Sequence, residues 1–258
     1  HCLNDPPNYL PCSRCVTVCP PKCINFGAPA TRMLERRIAA VIVAAGYDMI
    51  RPELVREFGY GAHPDVLTSM ELERLLSSAG PTGGEIVKPS TGAHPHSVLL
   101  VLCAGSRDQR LVRGCSRFCC MYSVKHAFQL KDHGVPEVTV LYMDRRAYGK
   151  GFDEFWERTE ALGVKFVRGR PAAIAAGEGG AITVRYEDTH AEKIVTQSFD
   201  MVVLSPAVRP PTGLDALAGR LGGAVSPDGF LAADEASGGL LRTTRPGVSY
   251  TCGIRSST

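Results

Sequence analysis

The cysteines constrain this chain more than any other feature. Five of the ten lie between residues 2 and 23, four lie between residues 103 and 120, and Cys252 stands alone. Disulfide scaffolds are typical of small secreted domains, whereas this chain has 258 residues and opens on a polar, proline-rich stretch without a secretory signal. Two tight groups of thiols in such a chain predict metal sites in a reducing compartment.

The first group has the spacing of an iron–sulfur ligand run. Its pattern is Cys2-x9-Cys12-x2-Cys15-x3-Cys19-Pro20. The part from Cys12 to Pro20 is similar to the end of the bacterial ferredoxin run, in which thiolates from one loop hold a [4Fe–4S] cluster and the proline turns the chain away. We expect Cys2 to supply the fourth ligand across a nine-residue loop.

Two other interpretations of this group stay open. Zinc is the main one, but tetrathiolate zinc sites usually combine two Cys-x2-Cys pairs, and this stretch contains one. Structural thiols without a metal are the other. Cys23 occupies a position where ferredoxins usually carry a small apolar residue, so we expect it to be a buried free thiol.

The second group follows a buried apolar segment. Its pattern is Cys103-x11-Cys115-x3-Cys119-Cys120, in which Cys103 closes a predicted strand and the others begin the next predicted helix. A helix N-terminus offers free N–H groups and a positive dipole end, which suits an anionic four-thiolate cluster. Positions i and i+4 share a helix face, while an adjacent cysteine lies about 100° away, so a compact site needs Cys115 or Cys120 on a distorted first turn.

A vicinal disulfide between Cys119 and Cys120 is the alternative for that pair. Four arginines near the ligands are expected either to offset cluster charge and raise its reduction potential or to form a solvated loop. They are Arg107, Arg110, Arg113 and Arg117.

Hydrophobic patterning predicts alternating strands and helices. The predicted strands are 38–46, 98–103, 138–142, 164–167, 182–186, 195–199, 201–204 and 248–251, and the predicted helices are 69–79, 116–131 and 152–162. We expect 38–46 to be fully buried, Ser69 to cap its helix, and the alanine-rich stretch 172–181 to form a turn. The order indicates an α/β nucleotide-binding fold with parallel central strands and a small antiparallel hairpin. The glycine fingerprint of a pyrophosphate turn is missing, and Cys103–Asp108 stands in its place.

Composition excludes several classes of function. A formal net charge of +3 is too weak to indicate a nucleic-acid partner. The longest apolar runs, 38–45 and 98–104, are far shorter than the roughly 18–20 residues that span a bilayer, so we expect no membrane span. The chain lacks an initiator methionine and carries apparent parts of domains at both ends, so we expect it to be a fragment of a longer protein.

At this point the chain resembles a known family, the iron–sulfur flavoprotein known as the A subunit of heterodisulfide reductase. The match covers most of the chain, and a cysteine doublet within Cys-Ser-x-x-Cys-Cys-Met-Tyr is very specific. The matching segments are Cys103–Asp108, Cys115–Ala127, Gly59–Gly61, Leu72–Leu76, Gly80–Gly84, Tyr142–Asp144, Gly149–Gly151 and Phe166–Pro171.

The resemblance implies a thioredoxin-reductase-like, two-domain flavoprotein fold with parallel sheets and the end of a ferredoxin-like module. In that arrangement residues 1–30 end the ferredoxin-like [4Fe–4S] module. Residues 31–96 form part of the FAD domain and a connector, and residues 206–258 form the C-terminal part of the FAD domain. Residues 97–205 form an inserted NAD-domain-like unit with the second [4Fe–4S] cluster where a dinucleotide would bind.

The resemblance also implies FAD contacts. Ala44, Ala45 and Gly46 are similar to the turn that closes an FAD-domain strand. Gly247 to Gly253 is similar to the late strand and turn on the flavin side, although Ser249, Tyr250 and Cys252 depart from the usual small residues. Cys252 is either a flavin neighbour or a buried thiol.

The function implied is electron relay, with possible flavin-based bifurcation, between two [4Fe–4S] clusters, FAD and other subunits. The implied partners are B- and C-type subunits of heterodisulfide reductase, a hydrogenase or other electron-donor subunit, and ferredoxin. Related paralogues serve sulfur-oxidising and quinone-interacting complexes. The expected location is the cytoplasm or the cytoplasmic face of a membrane complex. A zinc-stabilised interaction domain without redox activity is the alternative from a different class.

No general acid, base or nucleophile is expected in this chain. Arg145 and Arg146 follow a strand where NADP-reading arginines can lie, but without a phosphate turn we expect a solvated basic strand end. The seven histidines form no constellation and are expected to be structural, most of them in polar loops.

Overall fold

The computed structural model describes residues 14–29, 31–234 and 241–250. The chain divides into two compact units, His1–Ala39 and Ala40–Thr258. The first unit contains one short helix among its described residues, and the regular sheets belong to the second. In chain order the elements are α1 (Arg14–Val18), β1 (Val41–Val43), β2 (Asp48–Met49), β3 (Val66–Thr68), α2 (Ser69–Leu76), β4 (Ser97–Ala104), α3 (Cys119–Asp132), β5 (Glu137–Tyr142), α4 (Phe152–Ala161), β6 (Lys165–Arg168), β7 (Pro171–Ala176), β8 (Ile182–Asp188), β9 (Lys193–Phe199), β10 (Met201–Pro206), β11 (Val208–Arg209), α5 (Leu214–Arg220) and β12 (Val248–Tyr250), with 3-10 turns at Pro52–Leu54, Arg56–Phe58 and Glu178–Gly180.

A five-stranded parallel sheet forms the centre of the second unit. Its order is β3–β10–β4–β5–β6. One row of paired residues crosses the whole sheet, and it consists of Leu67, Val203, Leu100, Val140 and Phe166. The continuous apolar composition of β4 and β10 fits a sheet that is covered on both faces. The edge strand β3, which hydrophobic patterning did not predict, comes from the 31–96 segment.

Helices cover one face of this sheet and an antiparallel layer covers the other. Leu72 of α2, Leu130 of α3 and Trp156 of α4 pack in one apolar core with Leu100. The adjacent strand residue, Leu99, packs instead in the second core. This alternation follows from the two-residue period of a strand. The second core also includes Phe58, Ile182 and Phe199.

Three smaller sheets complete the unit. Strands β7, β8 and β9 form an antiparallel sheet, β1 and β12 pair in parallel, and β2 and β11 pair antiparallel. The predicted α/β class is therefore confirmed, with mostly parallel sheets and a small antiparallel one, and so is the 182–199 hairpin.

Two predicted elements were wrong in extent or type. The apolar run 38–46 forms a strand only at Val41–Val43, and Ile42 in its centre is 68% exposed. It is not fully buried because it belongs to a two-stranded pair rather than to the central sheet. The alanine-rich stretch is strand β7 rather than a turn, since pairing with β8 and burial of Ile174 override the low strand preference of alanine.

The predicted starts of two helices needed correction. Thr68, not Ser69, caps α2, and it forms a capping box in which its side chain and that of Glu71 bond reciprocally to the backbone. Helix α3 begins at Cys119 rather than at Ser116. This shift matters for the second cysteine group, because it leaves Cys115 outside the helix.

Candidate metal centre

The second cysteine group lies at the point of the sheet where ligands usually bind. From β4 the chain passes through α3 to β5 and through α4 to β6 on one side, while β10 pairs on the other side. The carboxyl ends of β4 and β10 therefore flank a topological switch point, where open α/β sheets bind their ligands. Cys103 is the penultimate residue of β4 and lies at this edge.

The backbone turns sharply at three non-glycine residues around the group. Cys103, Arg107 and Arg117 have φ values of 60°, 55° and 65°. Positive φ is uncommon for such residues, and it concentrates at functional sites. At Cys103 the turn breaks the alternation of β4, because Leu102 and Cys103 both belong to the core on the helix face. Its thiol therefore lies on the same side as the start of α3.

The other three cysteines of the group come from the loop before α3 and from its first turn. Cys119 and Cys120 are the first two helical residues, and Cys115 lies in the preceding loop. The left-handed residue Arg117 between them donates its backbone N–H to Cys115 Sγ over 3.3 Å. Helical spacing would keep the three cysteines from sharing one face, but Cys115 lies outside the helix, so this spacing does not restrict its position.

All four thiols are buried, with residue exposures between 1% and 7%. They are also free, so no vicinal disulfide joins Cys119 to Cys120. The Cys119 thiol lowers the pKa of Cys103 to about 7 against the opposing effect of burial. Interaction with Cys103 and then with Cys120, together with burial, raises the pKa of Cys119.

The remaining two thiols respond to the same neighbours. The Cys119 thiol lowers the pKa of Cys120, and burial raises the pKa of Cys115, with the charge of Cys103 acting in the same direction. The four side chains therefore form one electrostatically connected group. Within the described ranges no three Cys, His, Asp or Glu side chains converge on the position of a single metal ion. A [4Fe–4S] cluster has one thiolate per iron, so its ligands surround a cube and need not converge on one point.

The arginines near the group are more engaged than the sequence indicated. Arg107 pairs with Asp144 over 2.6 Å. Arg110 binds Asp108 and Glu57, each over 2.7 Å. These two charges are matched by carboxylates, so only part of the expected positive field remains available to a cluster.

Sequence reasoning placed Arg146 at a strand end but connected neither it nor Arg170 with the thiols. Burial raises the pKa of Cys115 and Arg146 opposes the rise. The positive charge of Arg170 is one of the smaller effects that lower the pKa of Cys103. Arg146 follows the carboxyl end of β5, so the rule that parallel strands end at one edge could have connected it with Cys103. Arg170 belongs to the β6–β7 connection and carried no such signal.

The first cysteine group is described in part. Cys2 and Cys12 lie outside the described residues. Cys15 belongs to α1, Cys19 follows its end, and Cys19 Sγ lies 3.7 Å from Cys23 Sγ. Cys23 is exposed, so its expected burial was wrong. The Cys23 thiol therefore lies at the surface, beside the predicted ligand Cys19.

The two segments expected to contact FAD are neighbours in the structure. β1, which precedes Ala44–Gly46, pairs in parallel with β12, which follows Gly247, and Val41 N–H donates to Gly247 O over 2.8 Å. Ala44–Gly46 thus follow the carboxyl end of this pair, whereas Gly247 lies at its amino end. Cys252 and Gly253 lie outside the described residues.

A cavity of about 450 Å³ opens beside the second group. Cys115 forms part of its wall, together with apolar side chains such as Ile50, Leu54, Val208 and Phe230. Arg110, Arg113 and Arg209 contribute the basic part of the lining, and Asp228 contributes an acidic side chain. The cavity has the size of small-molecule sites, which span roughly 300–1,000 Å³, and combines apolar walls with charged side chains.

Two smaller predictions can also be compared with the structure. Arg145 pairs with Asp153 over 2.8 Å and lies 5.1 Å from the Trp156 ring centroid, so it has a structural role. His126 is buried in α3 rather than in a polar loop, and its Nε2 lies 2.5 Å from Glu73. The other described histidines are outside regular helices.

The fold and the site define an α/β chain with a parallel sheet of the nucleotide-binding type and with thiols in place of the pyrophosphate turn. Among solved structures it is similar to thioredoxin reductase from Lactococcus lactis, with a TM-score of 0.50 and 16% identity over 85% of this chain and 58% of that one. At that identity the likeness shows the fold alone, and it confirms the predicted thioredoxin-reductase-like fold. No protein-family model matches the chain.

The sequence relatives are more specific. The A subunit of the H(2):CoB-CoM heterodisulfide,ferredoxin reductase of Methanothermobacter thermautotrophicus is 46% identical over 202 residues, or 77% of this chain and 30% of the relative. The iron-sulfur A subunit of the CoB--CoM heterodisulfide reductase of Methanocaldococcus jannaschii is 41% identical over 234 residues, or 89% of this chain and 34% of the relative.

These matches confirm the resemblance: the chain is homologous to a segment of the A subunit of heterodisulfide reductase. It spans 30% to 34% of the length of those relatives. In the part of the chain that the structure describes, the helices are too short or too polar to cross a membrane.

Proposed function

We propose that this chain is part of an electron-transferring flavoprotein, an oxidoreductase subunit of the heterodisulfide reductase type. One observation carries the proposal: four buried cysteines lie at the carboxyl edge of a parallel sheet, in the loop that would otherwise bind a pyrophosphate and in the helix start that follows it. Cys103 and Arg117 in this region have positive φ, a strained conformation that is common at functional sites.

Each cysteine group would hold one [4Fe–4S] cluster. The proposed ligands are Cys2, Cys12, Cys15 and Cys19 for the first and Cys103, Cys115, Cys119 and Cys120 for the second. Iron–sulfur clusters supply one-electron transfer, and flavin exchanges electrons singly or in pairs. In the second group the protein buries the four thiols, and the Arg117 N–H donates to Cys115 Sγ. The Cys119 thiol and, to a smaller extent, the charges of Arg107 and Arg170 lower the pKa of Cys103, which favours its thiolate form.

FAD is the proposed third cofactor. Ala44, Ala45, Gly46, Gly247, Cys252 and Gly253 are the proposed contacts, and the pairing of β1 with β12 supports a shared role for the segments that carry them. The accompanying domain proposal assigns 1–30 to a ferredoxin-like module, 31–96 and 206–258 to the FAD domain, and 97–205 to the inserted unit.

We further propose that the second cluster is the flavin's nearest electron partner. The cavity of about 450 Å³ supports this, because its apolar walls suit a planar ring and Cys115 lies in its lining. A ring bound there would contact a proposed ligand residue directly. Arg113 and Arg209 would place positive charge beside a flavin bound there, while Arg110 is already paired with Asp108 and Glu57.

The partners proposed are other subunits of a heterodisulfide-reductase-type complex and ferredoxin, in the cytoplasm or at its membrane face. The names of the relatives support a multi-subunit assembly, since each relative is itself named as one subunit of a reductase. Flavin-based bifurcation is part of the proposal, because a flavin beside one-electron carriers can accept a pair of electrons and release them singly.

The test is a cofactor and electron-transfer measurement on the full-length protein. Cys119→Ser should lose one cluster, keep FAD, and stop electron transfer to the partner subunits. Cys23→Ser is the control, because Cys23 is a thiol outside both proposed ligand sets. Normal turnover in Cys119→Ser would show that the second cluster has only a structural role. Stoichiometric zinc without iron in the parent protein would favour the zinc-stabilised interaction domain instead.

A further inference from the structure

One buried polar group near the second cysteine set has no assigned role, and it is the hydroxyl of Ser106. The residue is 1% exposed, and its Oγ has no hydrogen-bond partner of standard geometry among the described residues. Buried polar groups are nearly always hydrogen-bonded, so an unpaired hydroxyl in a well-packed core indicates a partner of another kind.

The loop holds this hydroxyl in place. Ser106 follows Gly105 and precedes Arg107, which both have positive φ. Arg107 N–H donates to Gly114 O over 3.0 Å, and Asp108 N–H donates to Val112 O over 3.0 Å. These bonds fix the loop after Ser106, and the Val112 N–H donates to Gly105 O over 3.2 Å and fixes the residue before it.

The thiol nearest to this hydroxyl along the chain is that of Cys103. Interaction with the Cys119 thiol is the largest influence on the pKa of Cys103, and the Ser106 hydroxyl lowers it further. Cys103 is one residue from the end of β4, and Ser106 lies on the tight turn that follows. An O–H group beside a thiolate is a hydrogen-bond donor to anionic sulfur.

Other buried serines nearby differ in having partners. Ser123 Oγ lies 2.9 Å from Ser205 Oγ, and Ser116 Oγ accepts the Val208 N–H over 3.3 Å. Each of these hydroxyls is satisfied by protein. Among these four serines, Ser106 is the one whose hydroxyl has no hydrogen-bond partner within the ranges that the structure describes, so it is available to a sulfur atom.

We propose that Ser106 sets the reduction potential of the second cluster by donating its hydroxyl to sulfur at Cys103. This inference rests on the proposed function, since it requires a cluster at the second cysteine group. Reduction adds negative charge to a cluster, and a donor to its sulfur stabilises the more negative state. Ser106 therefore raises the potential, and it acts as a positioning and tuning residue rather than as a ligand.

The test is an EPR-monitored redox titration of the full-length protein. The signal that disappears in Cys119→Ser is assigned to the second cluster. In Ser106→Ala this signal should keep its intensity, and its midpoint potential should shift to a lower value. Ser106→Thr, which retains the hydroxyl, should lie closer to the parent than Ser106→Ala. Ser123→Ala removes a buried hydroxyl that already has a partner, and its potential should equal that of the parent.

Three outcomes would overturn the proposal. They are an unchanged potential in Ser106→Ala, an equal shift in Ser123→Ala, and loss of the second cluster's iron in Ser106→Ala, which would make the hydroxyl a folding element. Failure of the proposed function is distinguishable, because the parent protein would then show no EPR signal that depends on Cys119.

Discussion

The loop that replaces the pyrophosphate turn depends on a glycine, and Gly105→Ala tests how tightly it is packed. Gly105 has φ +82°, and an added Cβ would overlap Ile50 Cδ1 and lie 3.2 Å from both Leu111 and Val55 side chains. A left-handed conformation costs a non-glycine residue about 1–2 kcal/mol. Overpacking of a close-packed core costs a further ~1–3 kcal/mol. The sum is about 2–5 kcal/mol.

Gly134→Ala is the matched control. Gly134 has φ +80°, and an added Cβ would meet nothing within 4 Å, so only the backbone cost of about 1–2 kcal/mol applies. In a domain of this size 1 kcal/mol lowers the melting temperature by roughly 2–4 °C. Thermal unfolding followed by circular dichroism should therefore place Gly105→Ala several degrees below Gly134→Ala. Equal melting temperatures would refute the claim that the loop is packed against Ile50.

Two further predictions concern nucleotide binding and pH. Calorimetry with NADH and NADPH should detect no binding by residues 97–205, because the glycine fingerprint is absent and Arg145 is already paired with Asp153. The prediction would be contradicted by micromolar affinity that is lost in an Arg145→Ala, Arg146→Ala double variant. Burial lowers the pKa of His126, although Glu73 opposes the shift. The pKa of His126 in the folded protein therefore lies below its usual value of about 6.5 in the unfolded chain. The free energy of unfolding is then highest above about pH 6.5, and it decreases as the pH falls from there through the pKa of the folded state. Chemical denaturation between pH 7 and 5 should show this decrease in the free energy of unfolding for the parent and for the control His190→Gln, whose histidine is exposed. His126→Gln should show a smaller decrease. An identical pH dependence of the unfolding free energy in all three proteins would exclude His126 as the cause.

The central sheet could be predicted because its strands obey a local rule. Val98–Cys103 and Met201–Leu204 are continuous apolar runs, and both are strands buried on two faces. The run at Ile38 has the same composition but pairs with only one strand, and a distant partner such as Val248–Tyr250 does not appear in a local pattern. For the same reason Val66–Thr68 was missed: three residues carry too little periodicity to predict an edge strand.

The cysteines of the candidate site could be located from their spacing, whereas their surroundings could not be predicted. The spacing located Cys103, Cys115, Cys119 and Cys120, which the structure buries together. The predicted start of α3 was three residues too early. Arg117 adopts a left-handed conformation there, and an arginine in the sequence does not indicate such a turn. The pairing of Arg107 with Asp144 and the unpaired hydroxyl of Ser106 depend on contacts between loops distant in sequence.

The most direct test of the account is the iron and acid-labile sulfide content of the chain and of its Cys119→Ser variant, measured with their absorption spectra. The account predicts two [4Fe–4S] clusters in the parent and about half the iron and sulfide in the variant, because one of two four-iron clusters loses a ligand. A folded variant with unchanged iron, or a parent that contains stoichiometric zinc instead, would contradict the assignment of Cys103, Cys115, Cys119 and Cys120 to a cluster.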